Sequence, residues 1–212
     1  DVITQKQHTL GGTATVSGRG LFMGEPATVT FRPAPANHGL IFVRTDRGGA
    51  RVPANIRHVV KRPRRTCLRN GDVTIDTCEH VMSALAGLCI DNAIIEIDGP
   101  ELPALDGSAK PYLDALRPIG IQEVGAPRQP LVITEPVVVK QGDAMIVATP
   151  CDEPYMQVVY DLDYSGHTVI GRQVRTFDFS NGNYADEIAP ARTFCLEAEA
   201  IELQSRGLGS HL

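Results

Sequence analysis

The apolar and polar positions of this chain alternate between short β-type runs and a few amphipathic helices. Thr9–Val16, Ala27–Arg32 and Leu40–Arg44 are apolar or β-branched runs, punctuated by Gly18-Arg19-Gly20 and Gly24-Glu25-Pro26. Thr66–Leu68 and Val73–Ile75 predict a hairpin about Asn70-Gly71, a good turn dipeptide. Val81, Ala84, Leu85 and Leu88 then recur at helical spacing, which predicts a helix with one apolar face. Glu79 and His80 fall in its first turn, with Asp76 or Thr77 as the N-cap. Ala93–Ile97 reads as a strand. The Leu105-Asp106-Gly107-Ser108 corner opens a second helix with Tyr112, Leu113 and Leu116 on its apolar side. Asp106 suits the N-cap there, or an acceptor that orients His80.

Pro118 to Pro130 carries Gly and Pro throughout and no helical period, so it reads as a linker. Strand patterns resume at Leu131–Lys140, Ala144–Thr149, Met156–Tyr160 and Thr168–Phe179. A last helix is expected over Leu196–Ser205, with Leu196, Ala200 and Leu203 on one side and Gly207 as a C-cap. The expected fold class is α+β, with two similar domains, each a β-sheet layered with helices. The first covers residues 1–117, the linker 118–130 and the second 131–212. The second leaves no room for the closing strand and second helix of the first, so it reads as incomplete.

Composition narrows the function classes. A net charge of -5, no Trp and few aromatics argue against nucleic-acid binding. No run has the length of a membrane span, so stable membrane insertion is not expected. The chain starts at Asp1 without Met and looks trimmed. The five cysteines, Cys67, Cys78, Cys89, Cys151 and Cys195, include no C-x-x-C pair. A disulfide framework or thiolate zinc site is not expected, and a reducing cytoplasm is the default location. A monomer is expected. Lys61–Arg65 is a basic cluster that reads as a solvated loop or as a phosphate contact.

The Glu79-His80 pair has two readings. A helix start favours a carboxylate and disfavours imidazolium, so both residues suit an ordinary helix terminus. A neutral imidazole is also a metal ligand, and an adjacent carboxylate can take a proton from an attacking water.

Three segments together carry more than spacing. Thr77-Cys78-Glu79-His80-Val81-Met82-Ser83-Ala84-Leu85, Pro103-Ala104-Leu105-Asp106-Gly107-Ser108-Ala109 and Ala191-Arg192-Thr193-Phe194 resemble the UDP-3-O-acyl-N-acetylglucosamine deacetylases. These are zinc enzymes of lipid A biosynthesis. Ile90-Asp91-Asn92, Leu203-Gln204-Ser205-Arg206-Gly207-Leu208 and Gly18-Arg19-Gly20-Leu21 resemble the same family, although Phe22 stands where its usual residue is His. The resemblance implies two α+β domains that trap the active site between their layers, and UDP-3-O-acyl-N-acetylglucosamine as substrate. It implies Glu79 as general base, His80 as a zinc ligand and Thr193 as hydrogen-bond donor to the oxyanion. Phe194 follows in the same segment as a substrate contact. The helix from Leu196 would wall a passage for the acyl chain, with Leu196, Ala200 and Leu203 as its apolar side or as a plain core face.

One family feature is missing. Its other zinc ligands are a His and an Asp four residues later. Four residues after His8, His38, His58, His80 and His167 stand Gly12, Phe42, Arg62, Ala84 and Gly171, and only Leu212 follows His211. The expectation is therefore a deacetylase seen without its C-terminal ligands, inactive as these 212 residues. The alternatives are a non-catalytic sugar-nucleotide and acyl-binding relative, or a hydrolase of another acylated amino sugar.

Overall fold

The computed structural model describes residues 5–153, 155–166, 169–179 and 182–209. His167, Thr168 and His211 lie outside the described residues. Those within Asp1–Arg128 and Ala185–Leu212 form one compact unit, and those within Gln129–Tyr184 a second. The fold is α+β, as the sequence pattern predicts.

In the first unit, Lys6–Leu10 (β1), Ala14–Arg19 (β2), Pro26–Pro33 (β3), Leu40–Arg44 (β4) and Ala50–Pro53 (β5) come first. Val59–Val60 (β6), Cys67–Asn70 (β7) and Val73–Asp76 (β8) follow, then helix Glu79–Gly87 (α1), strand Ala93–Ile97 (β9) and helix Lys110–Leu116 (α2). A five-stranded sheet runs in the order β2-β3-β9-β4-β5, with β4 and β9 parallel and the other pairs antiparallel. β6-β7-β8 form an antiparallel sheet. The β7–β8 hairpin turns at Gly71 with φ of 61°, a conformation glycine adopts without strain. Alternation sends Val29 and Phe31 of β3 and Ile95 and Ile97 of β9 into one core with Val81, Ala84 and Leu85 of α1. Burying each large apolar side chain contributes about 1.5–3 kcal/mol. Tyr112 of α2 joins this core edge-on to Phe31 and donates its hydroxyl to the Pro103 carbonyl at 2.5 Å.

Three local expectations differ from the structure. The run Thr9–Val16 is broken between β1 and β2, because Gly11 donates its N–H to the Gly120 carbonyl at 2.9 Å. A Cβ there would stand 2.5 Å from the Ile119 carbonyl oxygen. The stretch read as a linker carries strand Ile121–Pro127 (β10), antiparallel to β1, and is closed by the Arg128–Asp91 ion pair at 2.7 Å. Its register supplies the backbone bonds that Gly and Pro content had suggested were absent. Third, the segment after 185 groups with the first unit rather than with 129–184. It contains helix Glu197–Ser205 (α3).

The second unit consists of two hairpins. Val137–Gln141 (β11) pairs with Ala144–Ala148 (β12), and Gln157–Tyr164 (β13) with Gly171–Asp178 (β14). Val138, Val139, Ile146 and Val159 are all more than half exposed. These strands bury little apolar surface, whereas those of the first unit close a core. Among the described residues, no helix is long and apolar enough to cross a membrane.

Candidate functional site

Strand β8 delivers the chain to α1 through an unusual corner. Asp76, Thr77 and Cys78 are buried, and Thr77 has φ of 59°. Neither Asp76 nor Thr77 caps the helix. The N-cap is Cys78, with no side-chain cap bond. Asp76 is occupied by Arg65, whose Nε donates to it at 2.8 Å, and the Thr77 hydroxyl donates to Glu101 at 3.0 Å. Both side chains are drawn away by buried partners, so local capping preference loses to tertiary contacts.

Glu79 and His80 occupy the first turn of α1, as the sequence predicts, and both are half-buried. Glu79 Oε2 accepts the Thr66 N–H at 3.0 Å. Its other oxygen and the His80 imidazole have no hydrogen-bond partner among the described residues. One carboxylate oxygen is thus held in place by the Thr66 backbone. Burial, with the Glu79 charge beside it, pushes the Cys78 thiol up to about 12, so it is a neutral apolar filler at physiological pH.

A cavity of about 560 Å³ lies in the first unit. Leu21, Phe22, Leu105, Phe194, Ala200 and Leu203 supply much of its apolar wall. Thr193, Arg64 and Arg192 add polar groups. The wall is assembled by hydrogen bonds to backbone carbonyls. Thr193 donates its N–H to the Gly107 carbonyl at 2.8 Å, Gly209 donates to Phe22 at 3.0 Å, and Arg192 Nε donates to the Asp106 carbonyl at 2.6 Å. Helix α3 is clasped to the loop before β7 by Arg64, which bonds Glu199, while Glu199 Oε2 accepts the Leu196 N–H at 2.7 Å.

The structure therefore brings Thr193, Phe194, Ala200 and Leu203 together around one cavity. Leu196 is the N-cap of α3 and is not among the lining residues, and neither are Glu79 and His80. Asp106 neither caps α2 nor bonds His80. It accepts the Ser108 N–H at 3.0 Å and hydroxyl at 2.8 Å, while α2 begins from Ala109. Partial burial pushes its carboxyl upward, but the Ser108 bonds and nearby Arg192 outweigh this and hold it below the usual aspartate range. Glu101 is a residue the sequence pattern did not single out, and Arg65 figures in it only as part of the Lys61–Arg65 basic cluster. Glu101 is buried and its partners Phe22, Met23 and Thr77 lie well away in sequence, while the Arg65 side chain is largely covered and pairs with Asp76 across the β7–β8 hairpin.

Sequence comparisons follow the same residues. The family model for UDP-3-O-acyl N-acetylglycosamine deacetylase, LpxC, matches residues 7–211. The chain belongs to this deacetylase family. A UDP-3-O-acyl-N-acetylglucosamine deacetylase of Citrifermentans bemidjiense is 38% identical over 203 residues, covering 95% of this chain and 66% of the relative. One from Acidithiobacillus ferrooxidans is 38% identical over 210 residues, 98% of this chain and 69% of the relative. One from Pseudoalteromonas atlantica is 42% identical over 193 residues, 89% and 62% respectively. The chain thus spans about two thirds of the length of the curated relatives it matches.

A catalytic zinc normally takes three protein ligands. Among the described residues, no group of three or more His, Cys, Asp or Glu could hold a metal ion. His80 alone does not fit that requirement.

Proposed function

We propose that the protein to which this chain belongs hydrolyses the N-acetyl amide of a UDP-3-O-acyl-N-acetylglucosamine, releasing acetate and a free amine for lipid A assembly in the cytoplasm. The observation that carries the reading is the cavity of about 560 Å³ with its apolar wall and the Thr193 segment on it, in a chain of this family. Apolar lining with a few polar groups suits an acyl chain attached to a polar head. Zinc is the expected cofactor, with His80 as one ligand and the remaining donors outside the described residues.

The residues present have distinct tasks in this reading. A water attacks the acetyl carbonyl and Glu79 takes its proton through the oxygen that Thr66 leaves free. Thr193 donates a hydrogen bond to the oxyanion. The amide C–N bond then breaks and the proton passes to the leaving amine. Phe194, Ala200 and Leu203 hold the acyl chain out of water.

The test is acetate release from UDP-3-O-acyl-N-acetylglucosamine, with zinc content by elemental analysis, in the natural full-length protein and in these 212 residues. Zinc and turnover in the first and neither in the second are expected. A full-length protein that binds the substrate without releasing acetate would instead support a non-catalytic relative.

A further inference from the structure

Five side chains from four segments close a ring beside the entry to α1. Glu101 is only 2% exposed. Its Oε1 accepts the Phe22 N–H at 2.8 Å and the Thr77 hydroxyl at 3.0 Å, and its Oε2 accepts the Met23 N–H at 2.8 Å. Asp76, next along the chain from Thr77, accepts Arg65 Nε at 2.8 Å. The Arg65 guanidinium lies 4.2 Å from the centre of the Phe22 ring, which completes the circuit. Phe22 is also cavity wall, and Thr66, adjacent to Arg65, is the residue that holds Glu79.

We propose that Glu101 is a positioning residue for the reaction proposed above, fixing the entry of α1 through Thr77 relative to the Phe22 wall of the cavity. The inference rests on that functional reading. Three observations carry it. No cation pairs with Glu101 among the described residues, so the carboxylate is held by neutral donors alone, an expensive arrangement for an apolar core. Thr77, a β-branched residue, is kept at positive φ, and its hydroxyl bond to Glu101 opposes relaxation of that strain together with the backbone bonds of Asp76 to Pro100 and Leu102 and of Cys78 to Thr66. A Cβ on Gly20 would stand 2.3 Å from Glu101 Oε2, so the cavity loop closes directly on the carboxylate. Because one oxygen serves both Phe22 and Thr77, displacement of either segment is transmitted to the other.

Thr77→Val removes the hydroxyl at nearly constant shape, and Thr77→Ser restores it. In the natural full-length protein, Thr77→Val is expected to lower kcat roughly 10- to 100-fold with little change in KM, as a small misplacement of a catalytic group does. Thr77→Ser should recover most of the rate at a similar thermal midpoint. Glu101→Gln should lose hydrogen-exchange protection at Met23 or at Phe22, since an amide offers one acceptor oxygen where the carboxylate offers two. Wild-type kcat in Thr77→Val alongside an inactive Glu79→Ala overturns the positioning role alone. Full activity in Glu79→Ala alongside a slow Thr77→Val overturns the base role of Glu79 alone, and no acetate release from the unaltered full-length protein overturns the proposed function. Equal rate losses in Thr77→Val and Thr77→Ser, tracking only the folded fraction, or unchanged protection at both Met23 and Phe22 in Glu101→Gln, also overturn the inference.

Discussion

The Thr66 N–H meets the Glu79 carboxylate at 3.0 Å, so the loop before β7 aims the first acid of α1. Glu79→Gln keeps an acceptor for that N–H and removes the base proposed for the reaction. In the full-length protein it should lower turnover by roughly two to four orders of magnitude, the usual worth of a general base, and leave the bound metal in place. His80→Ala should lose metal together with rate. Elemental analysis beside acetate release separates the two, and metal loss in Glu79→Gln would count against the role given to Glu79.

Gly11 and Gly12 are neighbours with opposite demands. A Cβ at Gly11 meets the Ile119 carbonyl oxygen at 2.5 Å, and backbone cannot swing aside. At Gly12 the nearest atom is the Ile119 Cβ at 3.5 Å, an ordinary contact. Gly11→Ala should destabilise the first unit by about 1–3 kcal/mol, the cost of overpacking. Gly12→Ala should be neutral or stabilise by about 0.4–1 kcal/mol through the unfolded chain. Thermal midpoints in the same order for both variants would remove the argument that Gly11 breaks the first strand.

Much of this was legible in the sequence because periodicity survives folding where one face is buried. Val81, Ala84 and Leu85 marked α1, and Ala93–Ile97 marked β9, within the core they later fill. The Glu79-His80 first turn followed from that placement. The caps were not legible. Asp76 and Thr77 have capping chemistry, but Arg65 and Glu101 claim their side chains from elsewhere in the chain. Strand β10 was hidden for a similar reason, since its pairing with β1 joins Leu10 to Ile121, a contact no local pattern announces. The cavity was half visible: Thr193, Phe194, Ala200 and Leu203 were singled out, while the part played by Arg64 emerged only from its bond to Glu199.

That bond gives α3 a pH and salt dependence. The Leu196 N–H and then Arg64 hold the Glu199 carboxyl below its ordinary value. A depressed carboxylate contributes order that is present above the unfolded value and lost as pH falls through the folded one. The N-terminal turn of α3 should therefore stay protected at neutral pH and loosen only below the ordinary glutamate value of about 4.3. Glu199 is solvent-accessible, so 1 M salt should weaken the Arg64 part of the clasp. Hydrogen exchange at Leu196 across that range is the measurement. Protection unchanged in Glu199→Gln at neutral pH would show that the clasp does not hold the helix.

Cys195 offers a chemical report on what enters the cavity. It is exposed and lines the cavity, whereas Cys67 and Cys78 are buried in the first unit. Burial raises both buried thiols, Cys78 to about 12, so neither forms the reactive thiolate near neutral pH. Iodoacetamide should therefore label Cys195, Cys89 and Cys151 in the native protein, and Cys67 and Cys78 only after unfolding. If the acyl chain occupies the wall formed by Phe194, Ala200 and Leu203, saturating UDP-3-O-acyl-N-acetylglucosamine should slow labelling of Cys195 alone. Cys89 and Cys151 do not line the cavity and serve as internal references within the same digest. UDP-N-acetylglucosamine without the acyl chain should protect much less. Equal protection by the acylated and unacylated compounds would place the sugar nucleotide, rather than the chain, beside Cys195, and the role given to Ala200 and Leu203 would fall.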